Sequence, residues 1–271
     1  MKELSLFSGA GGGVLGTNLL GWETIGYVEY NEYCQRIIGQ RIKDGYLDEA
    51  PIFSDVNAFI SEGYADAYKG MVGVVSAGFP CQPFSVAGKR EAKDDPRNCW
   101  PQTIDIIRRV RPHYCLLENV GGLLSRKHRY FETILKDLAE SGYDARWKVI
   151  SAAEVGAPHK RDRLWVVAYP DSSWQLQSEG SKQDERRWAS YGGKDVPDTG
   201  SERLEGWEPP IGEEETYPTA GSTCWWDTEP GVGRVANGMA HRMDRLKALG
   251  NGQVPAVVET AFELLGPLYR T

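Results

Sequence analysis

An α/β fold, with a mostly parallel sheet covered by helices on both faces, is what the sequence predicts. Three observations lead there. Strand-length apolar runs alternate with segments of helical spacing from residue 3 to residue 169. Several of those runs are continuously apolar, as strands buried on both faces are. The first run passes straight into a glycine cluster that opens a helix, the start of a strand, turn and helix unit.

The elements follow in order. ELSLFS (3–8) reads as a short strand, GAGGG as the turn, and Val14, Leu15, Leu19 and Leu20 carry helical spacing. TIGYVE (24–29) is a second strand, followed by a helix over about 31–42, and PIF leads to Ser54 and Asp55 at the end of a third. GVVSAG (73–78), HYCLLEN (113–119) and RLWVVAY (163–169) suit buried strands. Between them, Trp100 to Val110 carries Ile104, Ile106, Ile107 and Val110, and His128 to Ser141 carries Phe131, Ile134, Leu135 and Leu138, both at helical spacing. After Pro170 the texture changes. Residues 171–233 are rich in Ser, Gly, Asp, Glu, Gln and Pro yet hold Trp174, Trp188, Trp207, Trp225 and Trp226. A disordered linker is poor in aromatics, so this stretch predicts a small irregular domain. Helical texture returns near 239 with Met239, Met243, Leu246 and Leu249, and after a GNG break an amphipathic helix opens near Pro255. The expected division is 1–169 plus 239–271 for one domain and 170–238 for an insertion.

Charge and cysteine usage narrow the function classes. The net charge of -7 is uneven: residues 170–229 hold 14 acidic and 5 basic residues, a balance of -9, which leaves +2 for the remainder. Within that remainder Lys89, Arg90, Lys93 and Arg97 form one basic cluster and Lys160, Arg161 and Arg163 another, compatible with an anionic ligand. The longest apolar runs are too short to cross a bilayer, and the first residues lack the apolar core of a secretory signal, so a cytoplasmic protein without a membrane partner is expected. Its default state is a monomer. Five cysteines form no CxxC pair, and with only 4 His a metal site is not expected. Four of the five read as packing residues. Cys81 is the exception.

Gly11, Gly13 and Gly16 have GxGxxG spacing, and Glu29 ends the second strand about 20 residues beyond the turn, where an acid can bind ribose hydroxyls. Asp55 at the third strand end can accept from an adenine amino group. Both acids also suit helix N-caps. Read as a pocket, they describe an adenosine site that NAD, FAD or S-adenosylmethionine would fit. In GFPCQPFS, Pro80 and Pro83 stiffen the chain around Cys81, and Lys89 and Arg90 follow closely enough to favour a thiolate. Glu118 in LLENV can donate a proton to a ring nitrogen if burial raises its pKa. Arg161 and Arg163, two residues apart, are read as sharing one face of a strand.

The order FSGAGG, VEYN, SDV, GFPCQPFS, ENV, KRDRLW and LGNGQVP, across residues 4–169 and 246–258, resembles the motif set of DNA (cytosine-5-)-methyltransferases. The resemblance implies a Rossmann-like methyltransferase fold dependent on S-adenosylmethionine, with a small target-recognition domain inserted before the C-terminal helix. It implies Cys81 as nucleophile on C6 of a flipped-out cytosine, Glu118 as the acid at N3, Arg163 near O2, and Arg161 beside them. Cofactor contacts fall on Phe7, Gly9, Gly11, Gly12, Glu29, Tyr30, Asp55, Val56, Pro80 and Asn251, and S-adenosylhomocysteine would be the product. Double-stranded DNA would meet Gln82, Ser85, Lys89 and Arg90, and a cognate restriction endonuclease is a further partner to test for. Three positions depart from the usual motifs: Ser5 where an Asp commonly precedes Leu-Phe, Gly73 in place of an acid, and His159 in place of Gln. The departures at Ser5 and Gly73 keep open a second reading, a catalytically impaired DNA-binding protein that retains the fold. A nicotinamide- or flavin-dependent oxidoreductase would rest on the glycine spacing alone.

Overall fold

The structure, a computed structural model, describes residues 1–80, 98–124, 129–171 and 242–266. The strands are β1 (Lys2–Leu6), β2 (Glu23–Val28), β3 (Ile52–Phe53), β4 (Val74–Ala77), β5 (Tyr114–Val120), β6 (Tyr143–Ile150) and β7 (Arg163–Pro170). The helices are α1 (Gly12–Leu19), α2 (Glu32–Lys43), α3 (Val56–Ser61), α4 (Tyr64–Ala67), α5 (Trp100–Val110), α6 (Tyr130–Glu140), α7 (Arg242–Asn251) and α8 (Pro255–Leu265). Among the described residues the strands form one sheet in the order β3-β2-β1-β4-β5-β7-β6. Strands β1 to β5 pair in parallel, while β7 runs antiparallel between β5 and β6. The expected parallel sheet therefore ends in an antiparallel hairpin.

Alternation along each inner strand sends successive side chains to opposite faces. Val75, Ala77, Cys115, Leu117, Leu164 and Val166 join the core beneath α5 and α6, whereas Val74, Leu116, Trp165 and Val167 join the core beneath α8. Both faces are covered, which is why these strands read as unbroken apolar runs. Strand β6 was not foreseen. Only Tyr143 and Ile150, at its two ends, are buried, and Arg146, Trp147 and Lys148 are exposed. An edge strand gives little apolar pattern to read, and its charges oppose pairing with another chain.

Local chemistry accounts for the helix boundaries. Asn31 Oδ1 accepts from Cys34 N at 3.1 Å and caps α2, whose last turn carries Arg41 and Lys43. Pro101 and Pro255 stand in the first turns of α5 and α8, where a missing N–H costs nothing. Helix α1 packs against α8 so closely that a Cβ on Gly16 would lie 2.5 Å from both Pro255 O and Val258 Cβ. The C-terminal segment thus returns to the first half of the chain, as expected. The insertion predicted over 170–238 lies, beyond the end of β7, outside the described residues. No described helix is long and apolar enough to cross a membrane.

Glu3 on β1 is fully buried. Its carboxyl accepts from Thr17 Oγ1 at 2.6 Å, Thr24 Oγ1 at 2.9 Å and the Ser76 hydroxyl, which bring α1, β2 and β4 onto one acid. Burial raises its pKa, against the lowering effect of those hydroxyls. Cys115, in the core, and Cys34 are likewise shifted up by burial, Cys34 to about 11. Those thiols are inert packing groups.

Two predictions follow from this packing. Gly16→Ala should lower stability by about 1–3 kcal/mol through the α1–α8 contact, read as a shifted midpoint in urea unfolding; an unmoved midpoint would contradict the contact. A folded Glu3 that holds its proton more tightly than the unfolded chain contributes stability present below pH 4.5 and lost as pH rises through the raised value. Glu3→Gln removes that loss. Its stability relative to wild type should therefore improve from about pH 4 to about pH 8, and parallel curves would rule out a neutral Glu3.

Candidate functional site

The carboxyl ends of β1, β2, β4 and β5 open onto one cleft of about 1030 Å3. Such a crevice at strand ends is where open α/β sheets bind ligands. Its floor begins with the turn after β1. Phe7 adopts a φ of 54°, a left-handed conformation that bulky residues rarely take. The bend is held by Ser8, whose N donates to Val28 O at 3.2 Å and whose Oγ donates to Ser5 O at 3.0 Å. Glu29 ties the turn to β2: one carboxylate oxygen accepts from Gly9 N and the other from Asn31 N, both at 2.7 Å.

Most of the residues singled out from sequence reach this cleft. Phe7, Gly9, Glu29, Tyr30 and Asp55 line one side, and Pro80, Glu118, Arg161, Arg163 and Asn251 line the other. Tyr30 is 81% exposed at its rim. Gly11, Gly12 and Val56 do not line it. Gly11 and Gly12 form the start of α1, and Val56 packs against the core from the start of α3. Asp55 is the N-cap weighed for it, its Oδ1 accepting from Asn57 N at 2.7 Å, and it also lines the cleft. Pro80 is followed directly by Cys81, which with Gln82, Ser85, Lys89 and Arg90 lies outside the described residues.

Glu118 is the electrostatic centre of the described cleft. Its side chain is 12% exposed, and Arg163 Nε sits 3.0 Å from one of its oxygens. Burial nonetheless holds its pKa above the ordinary carboxylate range, outweighing Arg163, Gln253 and Arg161, which each pull it down. Beside it, Asn119 Nδ2 donates to Phe79 O at 3.0 Å and fixes the end of β4 against β5.

Arg161 behaves differently from its neighbour. It precedes β7 and does not share a strand face with Arg163. Its Nη2 donates to Gly250 O at 2.9 Å and Gly252 O at 2.8 Å, which clamps the end of α7 to the segment before β7. Burial lowers its pKa, and Arg163 lowers it further.

Gln253 was missed by the sequence reading, although it directly follows the GNG break. Its Nε2 approaches Glu118 Oε2 at 3.5 Å. A Cβ on Gly12 would lie 2.6 Å from Gln253 O, one on Gly78 2.7 Å from Nε2, and one on Gly13 would overlap Oε1. The signal was present, since a glutamine after a glycine break can be read as a polar insert. No local pattern says into what.

A family model described as C-5 cytosine-specific DNA methylase matches residues 1–232. Type II methyltransferase M.AplI of Arthrospira platensis is 34% identical over 171 residues, which are 63% of this chain and 46% of that protein. Type II methyltransferase M.NgoMIV of Neisseria gonorrhoeae is 35% identical over 168 residues, 61% of this chain and 51% of that protein. The chain thus spans about half the length of these curated relatives. Among solved structures, a DNA modification methyltransferase encoded within an E. coli prophage matches 68% of this chain and 49% of that one, at 24% identity and a TM-score of 0.51. That likeness speaks to the fold.

The clamp by Arg161 yields a prediction that needs no substrate. Arg161→Ala should leave exchange in β1, β4 and β5 unchanged and speed amide hydrogen exchange over residues 250–253, by about tenfold or more for the loss of two charge-assisted bonds. Equal exchange in the variant would show that the segment is held by other contacts.

Proposed function

The chain belongs to the C-5 cytosine-specific DNA methylase family, and on that premise we propose that it methylates C5 of a cytosine flipped out of double-stranded DNA. The observation that carries the reading is the buried carboxyl of Glu118, paired with Arg163, in the same cleft as the glycine turn and Glu29. An acid kept neutral beside a guanidinium can hold a proton at a ring nitrogen, and the guanidinium can meet the neighbouring carbonyl.

The cleft fits S-adenosylmethionine. Glu29 spends one lone pair of each carboxylate oxygen on a backbone N–H, which leaves capacity for two ribose hydroxyls. Phe7 and Tyr30 would flank the adenine, Asp55 would meet its edge, and Gly9, Pro80 and Asn251 would border the rest. S-adenosylmethionine, when bound, supplies the methyl group to C5 and leaves as S-adenosylhomocysteine.

The remaining chemistry falls to the chain. The thiolate of Cys81 bonds to C6 of the base while Glu118 gives its proton to N3, which makes C5 nucleophilic. After C5 gains its methyl, loss of the C5 proton to a solvent base and cleavage of the S–C6 bond return the thiolate, and N3 hands its proton back to Glu118. Arg163 keeps the carboxyl aimed, and Arg161 acts through the clamp at 250–252. Gln82 and Ser85 would contact the DNA, and Lys89 and Arg90 would add salt-sensitive phosphate contacts. We assign residues 1–169 and 239–271 to the catalytic domain and 170–238 to target recognition.

Incubation of the full chain with duplex DNA and methyl-labelled S-adenosylmethionine should place label at cytosine C5. Glu118→Gln should slow transfer by about 100-fold or more, and Cys81→Ser should abolish the covalent adduct with 5-fluorocytosine DNA. Label on an exocyclic amine, or full activity without the thiol, would overturn the reading.

A further inference from the structure

Beside Glu118, on the α8 side of the sheet, a small pocket of about 30 Å3 shares Phe7, Gly9, Gly78 and Asn251 with the cleft and reaches inward to Ser5, Ser76, Trp165 and Gln253. One water needs about 10–15 Å3 of such space, so the cavity has room for one or two. Its lining is polar enough to hold them. Trp165 is 2% exposed, and its Nε1–H has no hydrogen-bond partner among the described residues. A buried indole donor of this kind normally finds one, in protein or in ordered water.

Strand register places the acid and the indole together. Glu118 and Trp165 are directly opposed in the antiparallel pairing of β5 with β7, so both side chains leave the sheet on the same face. Ser76 on β4 shares that face through its pairing with Leu116, two residues before Glu118. The carboxyl of Glu118 has about four acceptor positions. Arg163 Nε occupies one at 3.0 Å, and Gln253 Nε2 approaches the other oxygen at 3.5 Å. Capacity remains on the cavity side.

We propose that this cavity is an internal water site, in which bound water accepts from Trp165 Nε1–H and donates to the Glu118 carboxyl, making Trp165 a positioning residue for that acid. The site stands on the cavity and the orphan donor; only its catalytic consequence rests on the methyltransferase reading. The other groups that face Glu118 are Arg163 on β7, Arg161 ahead of it and Gln253 before α8, with Glu29, Asp244 and Lys247 lining the same cleft. Against that fixed background, a donor from behind favours the ionised carboxylate, and its loss makes Glu118 hold its proton more tightly.

Two measurements test the site without reference to activity. A crystal structure of the full chain should show ordered water within hydrogen-bond reach of both Trp165 Nε1 and a Glu118 oxygen; a collapsed cavity, or an indole bonded directly to a protein group, would overturn it. Trp165→Phe removes the donor and keeps an aromatic ring on β7. In protein carrying 13C at glutamate carboxyls, with the Glu118 signal identified by its loss in Glu118→Gln, the titration midpoint should rise by about one pH unit in Trp165→Phe. An unmoved midpoint counts against the proposal, and if the variant does not fold, the crystallographic water decides alone. If the wild-type chain proves unable to methylate DNA, the functional reading fails while both measurements still judge the water. In an active chain, Trp165→Phe should lower kcat and shift its pH profile with the KM for S-adenosylmethionine unchanged.

Discussion

Gln253 occupies space that three glycines leave empty. Gly12 and Gly13 at the start of α1 and Gly78 at the end of β4 all approach it more closely than any Cβ would allow. A Cβ on Gly12 would press on the Gln253 carbonyl and push the segment between α7 and α8 away, whereas one on Gly13 or Gly78 would displace the glutamine's amide end. With the glycines in place, a glutamine amide lies between the turn after β1 and the acid at the end of β5. Arg161 closes the arrangement from the other side by holding the carbonyls of Gly250 and Gly252. The far end of the chain therefore forms one wall of the cleft, and the turn and the acid share a neighbour.

The electrostatics of the molecule divide by burial. Ion pairs such as Arg129 with Glu132 and Arg109 with Asp66 sit largely in solvent, where they contribute little. Glu118 and Glu3 are the informative acids because burial takes them largely out of bulk solvent. Glu3 is surrounded by hydroxyls and has no cation among its described hydrogen-bond partners, so it binds α1, β2 and β4 together through neutral donors. Glu118 has Arg163 beside it and its pKa is still raised, because burial outweighs the guanidinium. An acid in that condition is suited to passing a proton to a partner and receiving it back.

Legibility in the sequence followed the depth of burial. The runs that became β4, β5 and β7 face a core on both sides, and their apolar content announced them; helix α5 runs from Trp100 to Val110, as its spacing required. Strand β6 was silent because it lies at the sheet edge with Arg146, Trp147 and Lys148 in solvent. The short helices α3 and α4 offered too few turns for a period to show. Glu118 was legible as an acid at a strand end, and Asp55 as an N-cap, which it is. Arg161 was misplaced. Two arginines two residues apart share a face only if both lie in the strand, and β7 begins at Arg163.

The sequence by itself determined the α/β alternation, the family, and which side chains stand at the ends of strands, because each of these is a local matter of period, turn and spacing. Tertiary structure decided the rest. The strand order that sets β4 between β1 and β5, the antiparallel entry of β7 and the crossing of α1 with α8 bring Gln253 to Glu118 over 135 residues of chain and Arg161 to Gly252 over 91. Such contacts have no period. They exist only where separately formed elements pack, and space between glycines, not any local preference of the chain, decides who meets there.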